Sequence, residues 1–231
     1  MPDIVASAAG MLILALDGAL RHCSVSVVAD QRLVATHQQA ADRGQSALLA
    51  PMAERVLADA GVAPTDLDLI AVTVGPGSFT GIRAALALAH GLGLGLRRPV
   101  VGVTVAEALA SALPALGGRA LWVAIDSRRD RVFLERDGEP PAAFALTALP
   151  KPEGPIAIAG NAAVEVAARL AAKDANAMLT DARWPLGRHV ALVAARRWAG
   201  TLPPVAAQPL YVDPPAVRLP EPGQRPPPVS D

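Results

Sequence analysis

The segment from Ile70 to Leu86, IAVTVGPGSFTGIRAAL, constrains the fold of this chain more than any other part of its sequence. An apolar, β-branched run ends in Gly75-Pro76-Gly77, and a Ser/Thr pair then begins a helix rich in alanine and leucine. The pattern predicts a buried strand, a tight turn and a helix. Such a junction directs backbone N–H groups toward the start of the helix, where they can hold an anion.

Composition limits the class of protein. The chain has 231 residues, a formal net charge of zero and 52% hydrophobic residues, enough core for one large domain or two small ones. The absence of a basic excess argues against a broad nucleic-acid footprint, so any RNA contact would be local or supplied by a partner. Cys23 is the only cysteine, which predicts a reducing compartment and a buried thiol without a catalytic role.

Two apolar stretches need to be distinguished from membrane segments. Met1 to Leu16 lacks a basic region and contains Asp3, so it is interpreted as a short extension followed by a buried strand. Ala84 to Leu96 contains His90 and three glycines and is too short for a span. We therefore expect a soluble, cytoplasmic protein with no membrane association.

The hydrophobic periodicity predicts two related α/β halves and a tail. For the first half it predicts strands at Leu12–Leu16, Ser24–Val28, Leu33–Gln38, Leu69–Val74 and Val100–Val105, with helices at Gln45–Ala60, Thr80–Leu96 and Ala106–Leu113. For the second half it predicts strands at Leu121–Asp126, Arg131–Arg136 and Ile156–Ala159, with helices at Ala162–Ala172 and Leu192–Trp198.

The domain prediction follows from this pattern. The first half covers residues 1–113 and carries partner-binding helices, and a smaller second half covers 114–201. Residues 202–231 are rich in proline and are predicted to be largely extended or disordered, with Tyr211 and Val212 docking on the body.

Asp17 and the glycine-rich loop each allow two interpretations. Asp17 ends a strand and is either an ordinary turn residue or, as in sugar-kinase and actin-like folds, the aspartate that orients a metal-bound water. Gly75, Gly77, Ser78 and Thr80 either contact a phosphate or nucleotide or form a capped turn that binds nothing. No Gly-Lys-Ser/Thr follows, so the loop is not a P-loop.

No pattern of metal ligands or of a catalytic nucleophile is found. The four histidines are far apart in sequence, and no Gly-x-Ser-x-Gly elbow occurs. The helices Gln45–Ala60 and Thr80–Leu96 carry more apolar residues than one sheet face would cover, which indicates either a large core or an interface. Arg83, one turn inside the second helix, is expected to pair with phosphate or with an acidic residue nearby.

At this level of detail the chain resembles the TsaB (YeaZ) family of tRNA threonylcarbamoyladenosine biosynthesis subunits. The motifs that carry the resemblance are LALD, CSVSV, QSALLAPM, GPGSFTGIR and VVGVT, in this order between Leu14 and Thr104. The resemblance is close from about Leu12 to Leu109, is thinner in the second half and is lost in the tail.

The resemblance implies a fold of two RNase H-like or actin-like (ASKHA) halves, each a mixed sheet with helices. It also implies paralogy with TsaD, the transferase subunit that modifies adenosine 37 in tRNAs reading codons that begin with A. TsaD-type proteins carry a metal-binding His-x-x-x-His where this chain has Val105 and Leu109. Aliphatic side chains cannot coordinate a metal, so we predict a non-catalytic subunit without a metal site.

The partners implied by the resemblance are a TsaD-type transferase subunit, which the family binds through two helices, and a TsaE-type ATPase that joins the complex. Transfer RNA would be contacted indirectly, ATP or ADP could lie at the partner junction, and the chain alone could form a homodimer. The interface candidates carried over to this chain are Leu48, Leu49, Met52, Val56, Ala84, Leu88, Gly91 and Leu92.

Three residues depart from the family pattern: Gly18 replaces a threonine, Gln45 a histidine and Asp213 an arginine. The alternative hypothesis is a free-standing ATP-binding enzyme, a kinase or ATPase of the actin-like fold, based on Asp17 and the Gly75–Thr80 loop. It would require a second catalytic carboxylate and a nucleotide-clasping motif in the second half, and neither is recognisable.

Overall fold

The computed structural model describes residues 10–41, 44–127, 130–136 and 138–212. The extension before Gly10, Arg128 and Arg129 of the charged turn, and the tail from Asp213 onward lie outside the described residues.

The first half is built on a five-stranded mixed sheet. In chain order its elements are β1 Leu12–Asp17, β2 His22–Ala29, β3 Arg32–Ala40, α1 Gln45–Ala60, β4 Leu69–Gly75, α2 Phe79–Leu96, β5 Val100–Thr104 and α3 Val105–Ser111. The strand order is β3-β2-β1-β4-β5, in which β1 pairs antiparallel with β2 and parallel with β4. β4 is buried along its whole length, as a central strand covered on both faces requires.

The second half repeats this arrangement on a smaller scale. Its elements are β6 Ala120–Asp126, β7 Arg131–Arg136, β8 Ala142–Ala145, β9 Ile156–Ala159, α4 Ala163–Ala171, β10 Ala177–Leu179 and α5 Gly187–Trp198. The sheet order is β10-β9-β6-β7-β8, again with one antiparallel and one parallel neighbour for the first strand. Each sheet therefore has the order 3-2-1-4-5 when its own strands are numbered, and the predicted two-half actin-like fold is confirmed.

One placement predicted from sequence is wrong. The predicted helix at Leu192–Trp198 was assigned to the second half, but α5 packs on the first sheet, on the face opposite α1 and α2. Val190 and Val193 of α5 lie against Ile13 and Val101, in a core separate from the one beneath α1 and α2. The N–H of Gly187 donates to Ser24 Oγ on β2 at 2.8 Å, which fixes the start of the helix.

The segment after α5 also returns to the first half. Residues 203–212, in the segment predicted to be largely extended or disordered with Tyr211 and Val212 docked on the body, contain no helix or strand and are held by specific contacts. The N–H of Leu210 donates to the carbonyl of Val74 at 2.8 Å, and Val205, Ala207 and Leu210 pack on the core under α2. We call residues 203–212 the C-terminal strap.

The two halves share one core where α3 meets the second sheet. Val105 and Leu109 are fully buried in the same cluster as Val123 and Ile125 of β6. A capping box fixes α3, since Glu107 N–H donates to Thr104 Oγ1 and the Thr104 N–H donates to the Glu107 carboxylate.

Candidate functional site

Asp17, at the end of β1, is fully buried. Its Oδ1 accepts hydrogen bonds from Thr73 Oγ1 at 2.6 Å and from the Ala19 N–H at 3.1 Å. Its Oδ2 is buried and has no hydrogen-bond partner in the described residues. Burial raises the pKa of Asp17 to about 7, because desolvation outweighs the two hydrogen bonds that lower it. Thr73 was not singled out from the sequence, although a hydroxyl in an otherwise apolar strand was the available signal.

The glycine-rich loop, Gly75 to Gly81, is in close contact with another backbone segment of the chain. The β1–β2 turn lies on it, and the Ser78 N–H donates to the Ala19 carbonyl at 2.6 Å. A Cβ at Gly77 would overlap the Ala19 carbonyl oxygen, and one at Gly81 would overlap that of Gly18. Gly77 and Gly81 are therefore required for the approach of two backbone segments. Gly75, with a φ of +116°, holds a conformation that glycine adopts without strain.

The remaining loop residues start α2. Ser78 is the N-cap residue, since its Oγ accepts from the Gly81 N–H at 3.3 Å, and Thr80 is exposed on the first turn. The capped turn considered from the sequence is thus present in the structure. Contact of Asp17, Gly75, Gly77, Ser78 or Thr80 with a phosphate stays a prediction.

The positions that match the histidines of TsaD-type proteins are part of the hydrophobic core. Val105 and Leu109 are both fully buried between the two halves. In the described parts of the chain, no group of three His, Cys, Asp or Glu side chains is placed to hold a metal ion.

A small cavity of about 180 Å³ adjoins these positions at the junction of the halves. Glu107 on α3 and Glu135 on β7 both line it. Burial, and then the charge of Glu107, raise the pKa of Glu135 to about 7. Glu107 is itself paired with Arg197, a buried residue of α5 whose other N–H groups donate to the carbonyls of Gly102 and Pro203 at 2.7 Å each.

The outer surface of α2 is largely apolar and only partly covered, and the first turns of α1 add further exposed apolar residues beside it. By length and composition α2 would qualify as a membrane span, the one such helix among the described residues, and 33% of it is buried. Ten of the exposed or half-exposed apolar residues of the two helices define what we call the α1/α2 face. They are Ala47, Leu48, Pro51, Ala84, Ala87, Leu88, Gly91, Leu92, Leu94 and Gly95.

Three predicted interface residues do not belong to this face. Leu49, Met52 and Val56 point from α1 into the core, and Leu49 is only 1% exposed. They follow the helical period of the buried stripe, so the sequence pattern that singled them out was that of the core. Sequence reasoning missed two residues of the face on α1, Ala47 and Pro51. On α2 it missed Ala87, Leu94 and Gly95, which lie with the predicted residues along the outside of the helix.

The comparisons with known proteins fit this geometry. The family model described as "TsaD: tRNA N6-adenosine threonylcarbamoyltransferase" matches residues 33–175, across both sheets. The chain is 36% identical over 124 residues to the "tRNA threonylcarbamoyladenosine biosynthesis protein TsaB" of Escherichia coli K12, a match covering 53% of each protein. The chain belongs to the TsaB (YeaZ) family.

Two further matches each cover most of this chain. It is 32% identical over 207 residues to the uncharacterized protein Rv3421c of Mycobacterium tuberculosis, covering 87% of this chain and 90% of that protein. The solved structure of YeaZ from Pseudomonas aeruginosa is 28% identical, with a TM-score of 0.73, and the match covers 87% of this chain and 99% of that one. Against the curated proteins that carry the TsaB name, the chain spans only about half of their length.

Proposed function

We propose that this chain is a non-catalytic subunit in the formation of N6-threonylcarbamoyladenosine at position 37 of tRNAs that read codons beginning with A. In this proposal it acts in the cytoplasm, where it binds and stabilises a TsaD-type transferase subunit. The relatives that carry the TsaB name are threonylcarbamoyladenosine biosynthesis proteins, which supports the pathway.

The observation that carries the proposal is the uncovered α1/α2 face. Exposed apolar surface of this extent on two adjacent helices is typical of an interaction site. Small side chains at Ala84, Ala87, Gly91 and Gly95 follow one side of α2, where they would let a partner helix approach closely. An antiparallel or crossed pair of helices from a paralogous subunit is the occupant that this shape suits.

Two further features favour binding over catalysis. The positions that would carry metal-binding histidines in a TsaD-type protein are the aliphatic Val105 and Leu109, packed in the core. The Gly18–Ala19 turn packs on the glycine-rich loop, and the Ser78 N–H of the loop already donates to the Ala19 carbonyl, so this donor is not free for a phosphate. Both features weigh against the alternative of a free-standing ATP-binding kinase or ATPase.

The test is co-expression with the TsaD-type protein of the same organism, followed by size-exclusion chromatography. We expect a stable heterodimer, which Gly91→Asp abolishes, since a carboxylate would then be buried in the interface without a partner. Gly91 is exposed on α2, and a Cβ there meets no atom within 4 Å in the isolated chain. The matched control is Leu179→Asp, an exposed leucine on β10 far from the α1/α2 face, which should bind normally. Both variants should retain the wild-type circular dichroism spectrum and thermal transition.

Persistent separation of the wild-type proteins on the column would argue strongly against this function. The enzyme alternative is tested by calorimetry of the isolated chain with ATP and Mg²⁺. Micromolar binding together with turnover would favour a kinase or ATPase. A TsaE-type ATPase should join only the heterodimer, and the isolated chain should form a homodimer that the partner displaces.

A further inference from the structure

Three side chains at the start of α2 form an exposed cluster. Phe79 and Tyr211 are 49% and 42% exposed, and their ring centroids are 5.9 Å apart. The guanidinium carbon of Arg83 lies 3.7 Å from the centroid of the Phe79 ring. Arg83 Nε also donates to the hydroxyl of Tyr211 at 2.9 Å. The guanidinium is therefore held in one orientation by a ring contact and a hydrogen bond.

The C-terminal strap places Tyr211 in this cluster. His90 Nε2 on α2 is 2.8 Å from the carbonyl of Ala207, and Leu210 is bound to Val74 on β4. These contacts hold the strap against the middle of α2 and the end of β4, immediately before Tyr211. The contact of Tyr211 with Arg83 and Phe79 could not be predicted from local sequence patterns, because 128 positions separate Arg83 from Tyr211.

Among the described residues, no acidic side chain is paired with Arg83 of this cluster. Arg83 is the only Asp, Glu, Lys or Arg residue of α2, and the first turn contains no acidic residue. The Nη groups of Arg83 donate to no acceptor in the described part of the chain. The nearby helix N-terminus adds the positive end of its dipole. An exposed, oriented guanidinium in such a place favours a bidentate hydrogen bond with a carboxylate.

We propose that the Phe79–Arg83–Tyr211 cluster is the polar anchor of the α1/α2 face, and that Arg83 binds a carboxylate of the TsaD-type partner. The inference depends on the proposed function, because the cluster adjoins that face through Ala84 and Ala87 on the same side of α2. Arginine and aromatic side chains dominate the binding energy of many interfaces. Here they are oriented before binding, which lowers the entropy lost on association. Tyr211 is a positioning residue, and Arg83 makes the contact.

The experiment measures the dissociation constant of the full-length chain and the TsaD-type partner at two salt concentrations. Arg83→Gln should weaken binding roughly 10- to 100-fold, as expected for loss of a charge-assisted hydrogen bond. It should also make binding less sensitive to salt than in the wild type. Tyr211→Ala should weaken binding less than Arg83→Gln, and Tyr211→Phe less again, since the ring is kept. The matched control is Arg196→Gln, an exposed arginine on α5 across the first sheet, which should bind like the wild type.

The outcomes separate this inference from the function on which it depends. If wild-type chain and partner do not bind, the proposed function fails. If they bind, and Gly91→Asp abolishes binding while Arg83→Gln has no effect, only the present inference is overturned. Asp213→Asn provides a further check, because Asp213 is the first acidic residue after Tyr211 and lies outside the described residues. If Asp213→Asn reproduces the loss seen with Arg83→Gln, the carboxylate belongs to this chain and the inference is wrong.

Discussion

A carboxyl group with one unpartnered oxygen in a protein core makes stability depend on pH. Asp17 has this environment, and the cost of desolvating its charge is larger than the gain from Thr73 and Ala19. The fold therefore favours the neutral acid. This stabilisation is fully present below the unfolded pKa of 3.8 and is lost as the pH rises through the folded pKa of about 7.

Asp17→Asn should remove this dependence. Asparagine keeps an oxygen for Thr73 and Ala19 but carries no charge, so the variant should gain on the order of 1–3 kcal/mol relative to wild type between pH 5 and pH 8. Urea unfolding at several pH values measures the difference between the two proteins. Glu135 also has a pKa raised to about 7, so the wild-type stability curve reports on both groups. The difference in unfolding free energy between wild type and Asp17→Asn reports on Asp17. A constant difference would show that Asp17 is ionised in the folded protein throughout.

Glycines at different positions of α2 have opposite roles. A Cβ at Gly81 would overlap the Gly18 carbonyl oxygen, whereas a Cβ at Gly91 would meet no atom within 4 Å. Gly81→Ala should therefore destabilise the protein by about 2 kcal/mol or more, despite the better helix propensity of alanine. Chemical denaturation of Gly81→Ala, with Gly91→Ala as its control in the same helix, measures the effect. Equal stability of the two variants would contradict the close approach of turn and loop.

The helix α2 contains glycines on its exposed side, which lower its stability. Gly91 and Gly95 lie on the outside of the helix, and neither has a left-handed backbone or a close neighbour that requires glycine. Each costs about 1 kcal/mol relative to alanine in a helix interior. No contact within the described chain compensates for this loss of stability. The composition is consistent with a helix whose outer side is covered only in a complex.

Replacing both outer glycines should separate stability from binding. We expect Gly91→Ala/Gly95→Ala to raise the free energy of unfolding of the isolated chain by about 1–2 kcal/mol. The same variant should bind the TsaD-type partner more weakly, because the added methyl groups keep the partner helix at a distance. Thermal unfolding and the dissociation constant are measured on the same samples. A variant that is more stable and binds normally would place the contact elsewhere on α1 and α2.

Most element positions could be predicted because local patterns determine them. The predicted bounds of α1 are those of the structure, since its buried stripe is regular and Gly61 ends it in a left-handed conformation. The sequence analysis missed the strands β8, of four residues, and β10, of three residues. Segments this short do not contain enough residues to show a hydrophobic period. The outward side of α1 and α2 was only partly predicted, since both helices are apolar around most of their circumference. Periodicity cannot assign such a helix to core or interface.

At the scale of the molecule, long-range contacts were beyond the reach of the sequence patterns. The return of α5 and the C-terminal strap to the first sheet depends on pairs such as Arg197 with Glu107, 90 positions apart. The proline-rich composition predicts a largely extended or disordered tail with Tyr211 and Val212 docked on the body. It does not predict the backbone hydrogen bond of Leu210 or the apolar packing of Val205 and Ala207, because these contacts join distant parts of the sequence.

Arg197 should be the residue on which this return depends most. It is 7% exposed and connects α5, α3, β5 and the strap through Glu107, Gly102 and Pro203. Arg197→Met should destabilise the protein by about 3–5 kcal/mol. It removes the positive charge beside the partly buried Glu107 carboxylate, which keeps only the Thr104 N–H, and it takes the guanidinium donors from two carbonyls. The matched control, Arg196→Met at the neighbouring exposed position, should change stability by less than about 0.5 kcal/mol. Denaturant unfolding and hydrogen exchange in the strap measure both variants.

The return of α5 to the first sheet also has a consequence for synthesis. Ile13 and Val101 are made early, but the helix that covers them is made only after the whole second sheet. On the ribosome, one side of the first sheet must therefore stay uncovered until residues near Trp198 have left the exit tunnel. The second half is topologically an insertion into the first, and it can complete its own sheet before the half that precedes it is closed.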